Sequence, residues 1–414
     1  MEIKSFLNES LTAFHAVKNV SAYLDGNGFE RIYVGEKNKF VKGGKYYVVK
    51  NGSAIIAFVI GSLENYAFNI AESHTDSPSL RIKGNLLLDS PEGKKLNVEK
   101  YGGLILYSMA DIPLKIAGRV MVKDGKSVRT ELVESDFFVN IPSLAIHHNP
   151  EVNDKCSFNV QTDMSPLVGE AESVYELVSD KEVIDADLFV VPAVSAYNAG
   201  KNGEYLVSPR IDNLSSVYSS IEALVKCNPS GVAMACCFDN EEVGSLTKQG
   251  ADSAFLPDLL KAINDGLGYG EADFAKAKND GFILSVDNGH AVHQAHPEKS
   301  DVAEKVYLNK GVVIKHHTNY STDGASSAVV KAIFAGNGVE YQDYYNRSDL
   351  RCGGTLGLMS SAALQMNACD IGLAQLAMHS AVETVGSSDV KKMTDGIEAF
   401  FNASIKERNG VFTF

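Results

Sequence analysis

Gly231-Val-Ala-Met-Ala-Cys-Cys-Phe-Asp-Asn-Glu-Glu-Val-Gly-Ser245 decides how this chain is read. Small and β-branched apolar residues run unbroken to Phe238, then give way to the paired carboxylates Glu241 and Glu242 and to Gly244. A short continuous apolar run with polar ends is the pattern of a strand buried on both faces. Open α/β sheets build their sites just past the carboxyl ends of such strands. Two neighbouring carboxylates there repel each other unless a cation lies close by or one keeps its proton.

Upstream, Ser208-Pro-Arg210-Ile-Asp212-Asn213 precedes an apolar stripe of Leu214, Val217, Tyr218, Ile221, Leu224 and Val225. That spacing predicts an amphipathic helix with Asp212 or Asn213 as its N-cap. Further back, strands are expected at 54–60 and 66–71, the second leading into Ser73-His74-Thr75-Asp76-Ser77-Pro78. A histidine at a strand end can reach a metal, and an aspartate two residues on can orient its imidazole. Near the start, Ser10 is expected to cap a helix bearing Phe14, Val17, Val20, Tyr23 and Leu24, stopped by Gly26 and Gly28.

Downstream, Asp252 or Ser253 can open a helix ending at Ile263, with Pro257 in its first turn. Phe282-Ile-Leu-Ser-Val-Asp287 is a second buried strand ending in a carboxylate, followed by His290, His293 and His296. Val312-Val-Ile-Lys315-His316-His317 is a third, ending in cations. A helix is expected over 360–368, a strand from Asp370 leading to Met378-His379-Ser380, and a closing helix with Met393, Ile397, Phe400 and Phe401. Strands alternating with helices predict an α/β fold with a doubly wound, mostly parallel sheet. From about 84 to 203 the texture changes to short strands and turn signals such as Tyr101-Gly-Gly, and helical periodicity weakens. The expected organisation is a discontinuous catalytic domain, 1–83 plus 204–414, interrupted by an inserted β-rich domain over 84–203.

Thirty-eight Lys and Arg against 52 Asp and Glu leave a net charge of −14, which argues against nucleic acid or an anionic membrane surface as a partner. No apolar stretch approaches the ~18 residues of a membrane span. The first residues lack the basic start and apolar core of a signal peptide. The 6 cysteines show no C-x-x-C spacing, and Cys236 and Cys237 are neighbours inside the apolar run. Together these features predict a cytoplasmic protein.

The polar residues at the expected strand ends are His74, Glu241 with Glu242, Asp287 and His379, with Asp212 at a helix start. As a group they are nitrogen and carboxylate ligands in the number a pair of zinc ions requires. One carboxylate can bridge two zincs at ~3.5–4 Å. Such a site activates water and polarises a carbonyl, and it still needs a free base, so one glutamate of the pair should not be a ligand.

The segments Ser73-His-Thr-Asp-Ser-Pro, Pro209-Arg-Ile-Asp-Asn-Leu, Asp239-Asn-Glu-Glu-Val-Gly-Ser, Asp287-Asn-Gly-His-Ala-Val-His and Met378-His-Ser resemble the M18 zinc metallopeptidases, the aspartyl aminopeptidases and their bacterial relatives. They cover nearly the whole chain in order. The resemblance implies an aminopeptidase acting on peptides with a free N-terminus and using two zinc ions per subunit, which cobalt or manganese can replace. It implies His74 and Asp287 on one zinc, Glu242 and His379 on the other, Asp212 as bridge, Glu241 as general base and Asp76 as the residue orienting His74. It implies a β-rich dimerisation domain and a homo-oligomer, a tetrahedral dodecamer built from dimers. In that assembly His147 reaches a neighbouring subunit's active site, and His290 lines the substrate pocket.

Two stretches depart from the family: Leu104-Ile-Leu-Tyr107 stands where a Trp-His pair is common, and Lys315-His-His-Thr-Asn-Tyr-Ser has its own wording. Lys315 is the cation expected to hold an acidic first residue. The rival readings are a related zinc hydrolase, an M42 glutamyl aminopeptidase or an M20-type enzyme, and a non-catalytic oligomeric scaffold. The His-Ser ending at 379–380 and the histidine run after Asp287 favour M18, and a scaffold would have no reason to keep Glu241.

Overall fold

Val232–Phe238 is a strand with every residue buried, and its alternate side chains enter two separate cores. Ala233, Ala235 and Cys237 face one core, while Val232, Met234, Cys236 and Phe238 face the other. In this computed structural model, which describes residues 1–33, 35–36 and 38–414, that strand lies inside the main sheet. Among the described residues this sheet has nine strands, in the order Glu30–Arg31, Lys45–Lys50, Ala54–Ile60, Val232–Phe238, Phe68–His74, Phe282–Val286, Asn367–Gly372, Val312–His316 and Tyr341–Tyr345. The run from Val232–Phe238 through Asn367–Gly372 is parallel, so its carboxyl ends come out along one edge.

Helices cover both faces, as a buried parallel sheet requires. Ala13–Gly26, Ile211–Lys226, Gly324–Gly336 and Asp389–Asn402 pack on one face through Val17, Leu214, Val217, Ile333, Met393 and Phe400. Phe255–Gly266 and Gly357–Leu364 pack on the other through Leu256, Leu260, Ile263 and Leu364. Each fully buried side chain of Leu or Phe size contributes about 1.5–3 kcal/mol, so the site grows from a firmly packed part of the chain.

A second, antiparallel sheet has the order Ser127–Glu134, Leu114–Asp124, Val183–Pro192, Ser79–Ile82, Val98–Tyr101. It has its own core around Leu80, Val98, Leu114, Ile116, Leu188 and Val190. Its Ser79–Ile82 strand lies upstream of residue 84, directly after the His74 segment. Another sheet joins Tyr205–Ser208, Glu383–Gly386, Ala374–Leu376 and Gly289–His290, tying the chain before Asp212 to the chain around His379.

Several expected boundaries move. The second early strand is Phe68–His74 rather than 66–71, so His74 is itself a strand residue, paired in register with Phe238. Ser10 does not open the helix: its N–H closes a preceding helix, Ile3–Glu9, on Phe6 O, and the next begins at Ala13. Asp212 and Asn213 are not caps either. Both have non-helical backbone inside Ile211–Lys226, and Arg210 precedes them at φ 61. The helix expected over 360–368 is Gly357–Leu364, stopped by Gln365 in left-handed conformation, which releases Asn367–Gly372 as a strand.

His15, on the Ala13–Gly26 helix, is 8% exposed and its Nδ1 meets Thr12 Oγ1 at 2.9 Å. Burial lowers its pKa to about 4; the nearby Glu134 opposes this, and the positive charges of Lys18 and Arg210 assist it. A histidine held below its unfolded value favours folding fully above about pH 6.5, and that contribution is lost as pH falls toward 4. The loss is on the order of 3 kcal/mol. Urea unfolding of the metal-free chain at pH 7.5 and 4.5 should therefore show a steeper fall in stability for wild type than for His15→Phe. Equal falls would mean that His15 does not titrate in this window.

Candidate metal centre

At the carboxyl ends of the parallel strands, segments far apart in sequence converge. His74 ends its strand, Asp287 stands one residue past Phe282–Val286, and Glu241 and Glu242 open a single 3-10 turn after Val232–Phe238. Asp212 comes in from its helix start, and His379 from the turn after Ala374–Leu376.

His74 Nδ1 lies 3.0 Å from Asp76 O. A carbonyl can only accept, so Nδ1 carries a proton and Nε2 is the nitrogen that faces the cluster. From Nε2 the distances are 3.6 Å to Asp212 Oδ1, 3.8 Å to Asp287 Oδ1 and 3.9 Å to Glu241 Oε2. His379 Nε2 lies 3.3 Å from Glu242 Oε1 and 3.5 Å from Asp212 Oδ2. Asp212 thus belongs to two trios that could hold a metal ion, one with His74 and Asp287 and one with Glu242 and His379. His74, Glu241 and Glu242 form a third. Asp212 Oδ1 is buried without a hydrogen-bond partner. An orphaned carboxylate oxygen among imidazole and carboxylate donors fits a borderline-soft cation such as zinc.

Electrostatics point the same way. Burial alone would lower the His74 pKa, but Asp287, Asp76 and Glu241 raise it well above its ordinary value. His379 is also pulled down by burial and raised overall to about 10 by Asp212 and Glu242. Burial first, then Asp287, Asp76 and Asp212, push Glu241 up to about 7 against the opposing pull of His74. So much crowded negative charge attracts a cation, and a metal ion taking these lone pairs releases protons.

A layer of groups behind the cluster fixes it. The Asp76 carboxylate accepts the backbone N–H of Glu241 at 3.1 Å and of Glu242 at 3.2 Å, and the Tyr101 hydroxyl at 2.7 Å. Glu383 accepts the N–H groups of His379 and Asp212. A Cβ on Gly103 would lie 2.7 Å from His379 Nδ1, so Tyr101-Gly-Gly, which the sequence marks only as a turn, lies directly against the imidazole. Consecutive glycines were the available signal for that close approach, whereas nothing in the sequence marks Glu383.

The remaining expected residues divide. Lys315 is 2% exposed, and its ammonium donates to Asp287 O at 3.0 Å, Asn288 O at 3.2 Å and Asp287 Oδ2 at 3.5 Å. Its N–H donors are thus turned toward Asp287 and its neighbour and away from the open space. His290 ends the short Gly289–His290 strand and is exposed, within range of the charges of Lys315, Asp212, His379 and Asp287. His147 is exposed on a turn and, among the described residues, makes no hydrogen bond or ion pair with the cluster of its own chain.

A cluster of imidazoles and carboxylates beyond the carboxyl ends of a parallel sheet defines a metal-dependent hydrolase. The sequence model of the family described as Aminopeptidase I zinc metalloprotease (M18) matches residues 6–401. The chain belongs to this family of zinc aminopeptidases. It is 40% identical to the probable M18 family aminopeptidase 2 of Clostridium novyi over 94% of this chain and 95% of that protein. It is 33% identical to aspartyl aminopeptidase 1 of Schizosaccharomyces pombe over 99% and 96%. Among solved structures it superposes on a chain of the Ape4 and Nbr1 complex with a TM-score of 0.92 at 31% identity, covering 96% of this chain and 84% of that one. It shares its fold with the S. cerevisiae mApe1 dodecamer, at TM-score 0.83 and 23% identity, over 96% of this chain and 95% of that one. No described helix is long and apolar enough to cross a membrane.

Proposed function

We propose that this aminopeptidase works with two zinc ions per subunit, one held by His74 and Asp287, the other by Glu242 and His379, with Asp212 shared between them. Asp212 carries the reading: its Oδ1 lies 3.6 Å from one imidazole and its Oδ2 lies 3.5 Å from the other. Zinc there would lower the pKa of water and polarise the scissile carbonyl. Glu241 is the base: it takes a proton from the attacking water and returns it to the leaving amine. Its side chain is 19% exposed against 5% for Glu242, so it is the more open of the two. Asp76 orients the pair from behind, through the two backbone N–H groups it accepts.

The substrate is a peptide with an unblocked N-terminus. The likeness to an aspartyl aminopeptidase supports an acidic first residue. Lys315 supports it less, because its ammonium is turned to Asp287 and so is better placed to steer that ligand. Residues 84–203 form the dimerisation domain of a dodecameric assembly, in which His147 enters a neighbouring copy's site. Exposed Leu144 and Ile146 beside it, 60% and 52% accessible, support a covered surface there. Six free cysteines support a reducing compartment, the cytoplasm.

Zinc content measured with the release rates of Asp-, Glu- and Leu-amides tests the reading. The expected result is two zincs per chain and fastest release from the acidic substrates. Lys315→Ala is expected to lower activity on all three by a similar factor, roughly 10-fold or more, and to weaken zinc retention. Selective loss of the acidic substrates would instead make Lys315 the specificity cation.

A further inference from the structure

Glu383 opens the Glu383–Gly386 strand and is 1% exposed. Its Oε1 accepts the His379 N–H at 2.7 Å and its Oε2 accepts the Asp212 N–H at 2.9 Å. One buried carboxylate therefore joins the backbones of two residues whose side chains meet 3.5 Å apart in the centre. This is the arrangement Asp76 makes with Glu241 and Glu242 on the other side of the same cluster.

The backbone being held needs holding. His379 has φ 67 and Ala377 has φ 55 in the turn before Glu383, while Arg210 has φ 61 just ahead of Asp212. Left-handed conformations are uncommon for residues with a Cβ, and they persist where the surroundings over-determine them. Neither amide lies in a strand ladder. Two N–H groups meeting the two oxygens of one buried side chain tether both backbones at once.

We propose that Glu383 is a positioning residue for the metal centre: by accepting both amides it sets the separation of Asp212 and His379, and hence the readiness of the pair to take an ion. The proposal rests on the two-ion reading above. The chemistry of the side chain gives a sharp test. A carboxylate accepts at both oxygens, whereas the isosteric amide accepts at one and turns an NH2 toward the other N–H. Glu383→Gln therefore keeps the shape and loses one of the two tethers. Glu383→Asp keeps the carboxyl group and loses the reach to both amides at once.

Two measurements decide. Zinc competition with a chelator should show one ion of the Glu383→Gln chain bound 10–100-fold more weakly than in wild type, with activity recovering as free zinc is raised. Hydrogen exchange on the metal-free chain should show faster exchange in peptides spanning Asp212 and His379, with unchanged protection across Val232–Phe238. Glu383→Asp should show the same selective pattern. Chelator curves that superimpose on wild type with unchanged exchange would overturn the proposal. So would protection lost evenly through the sheet in both variants, which marks a general structural role. A wild-type chain that takes up fewer than two zincs counts against the two-ion reading instead, and the exchange comparison, made without metal, then decides the clamp alone.

Discussion

Glu241→Gln should keep its zinc and lose about 10²–10⁴-fold in kcat, the usual contribution of a positioned general base. The variant has the shape of the native side chain and cannot accept a proton. Glu241 Oε2 stands 3.9 Å from His74 Nε2, while Glu242 Oε1 stands 3.3 Å from His379 Nε2. The closer and more buried glutamate is the better ligand, and the more open one is free to move a proton. Glu242→Gln should accordingly fail in the opposite way, with zinc lost first and residual activity tracking the metal that remains. Zinc content and kcat measured on the same samples separate the two. The division of labour has a definite weak point, because His74, Glu241 and Glu242 also converge closely enough to hold an ion. Glu241→Gln protein with the zinc content of Glu242→Gln would make Glu241 a ligand and leave the base unidentified.

The difference between what the sequence makes legible and what it hides follows from the kind of constraint involved. An unbroken apolar run ending in carboxylates has few ways to fold, and Val232–Phe238 is buried along its whole length. Strand ends are where such a sheet presents polar groups, so His74, Glu241, Glu242 and Asp287 could be found from local pattern. Asp212 could not be separated from a helix cap by local pattern, because an aspartate before an apolar stripe is what a cap looks like. Only the fold shows that its side chain makes no capping bond and turns into the cluster. Glu383 and Gly103 act through a backbone amide and an absent Cβ respectively, and neither leaves a periodic trace in sequence. The shifted helix at Gly357–Leu364 failed for a local reason: its end depends on Gln365 taking a left-handed conformation that composition does not announce.

Asp212→Asn should abolish binding of both zincs and with it the stability that zinc adds to wild type. In the metal-free chain Asp212 stands among Glu241, Glu242, Asp76 and Asp287, and it raises the pKa of Glu241 and of Glu242 through like-charge repulsion. Its Oδ1 has no hydrogen bond to lose. Neutralising it relieves that repulsion and also removes the charge that, with Glu242, raises His379 to about 10, so without metal the two chains should melt within a few degrees of each other. With zinc the two separate. A ligand that binds only the folded chain adds about 2.7 kcal/mol per site at a concentration 100-fold above its Kd. Wild type gains this at two sites, while Asp212→Asn, lacking an oxygen pair that faces both imidazoles, gains little at either. Thermal melts in chelator and in zinc, run on both chains, give the four values required. A variant that keeps one zinc at wild-type affinity would mean that Asp212 serves a single ion. The shared carboxylate, and with it the argument for two ions, would then fail even if the chain remained an active aminopeptidase.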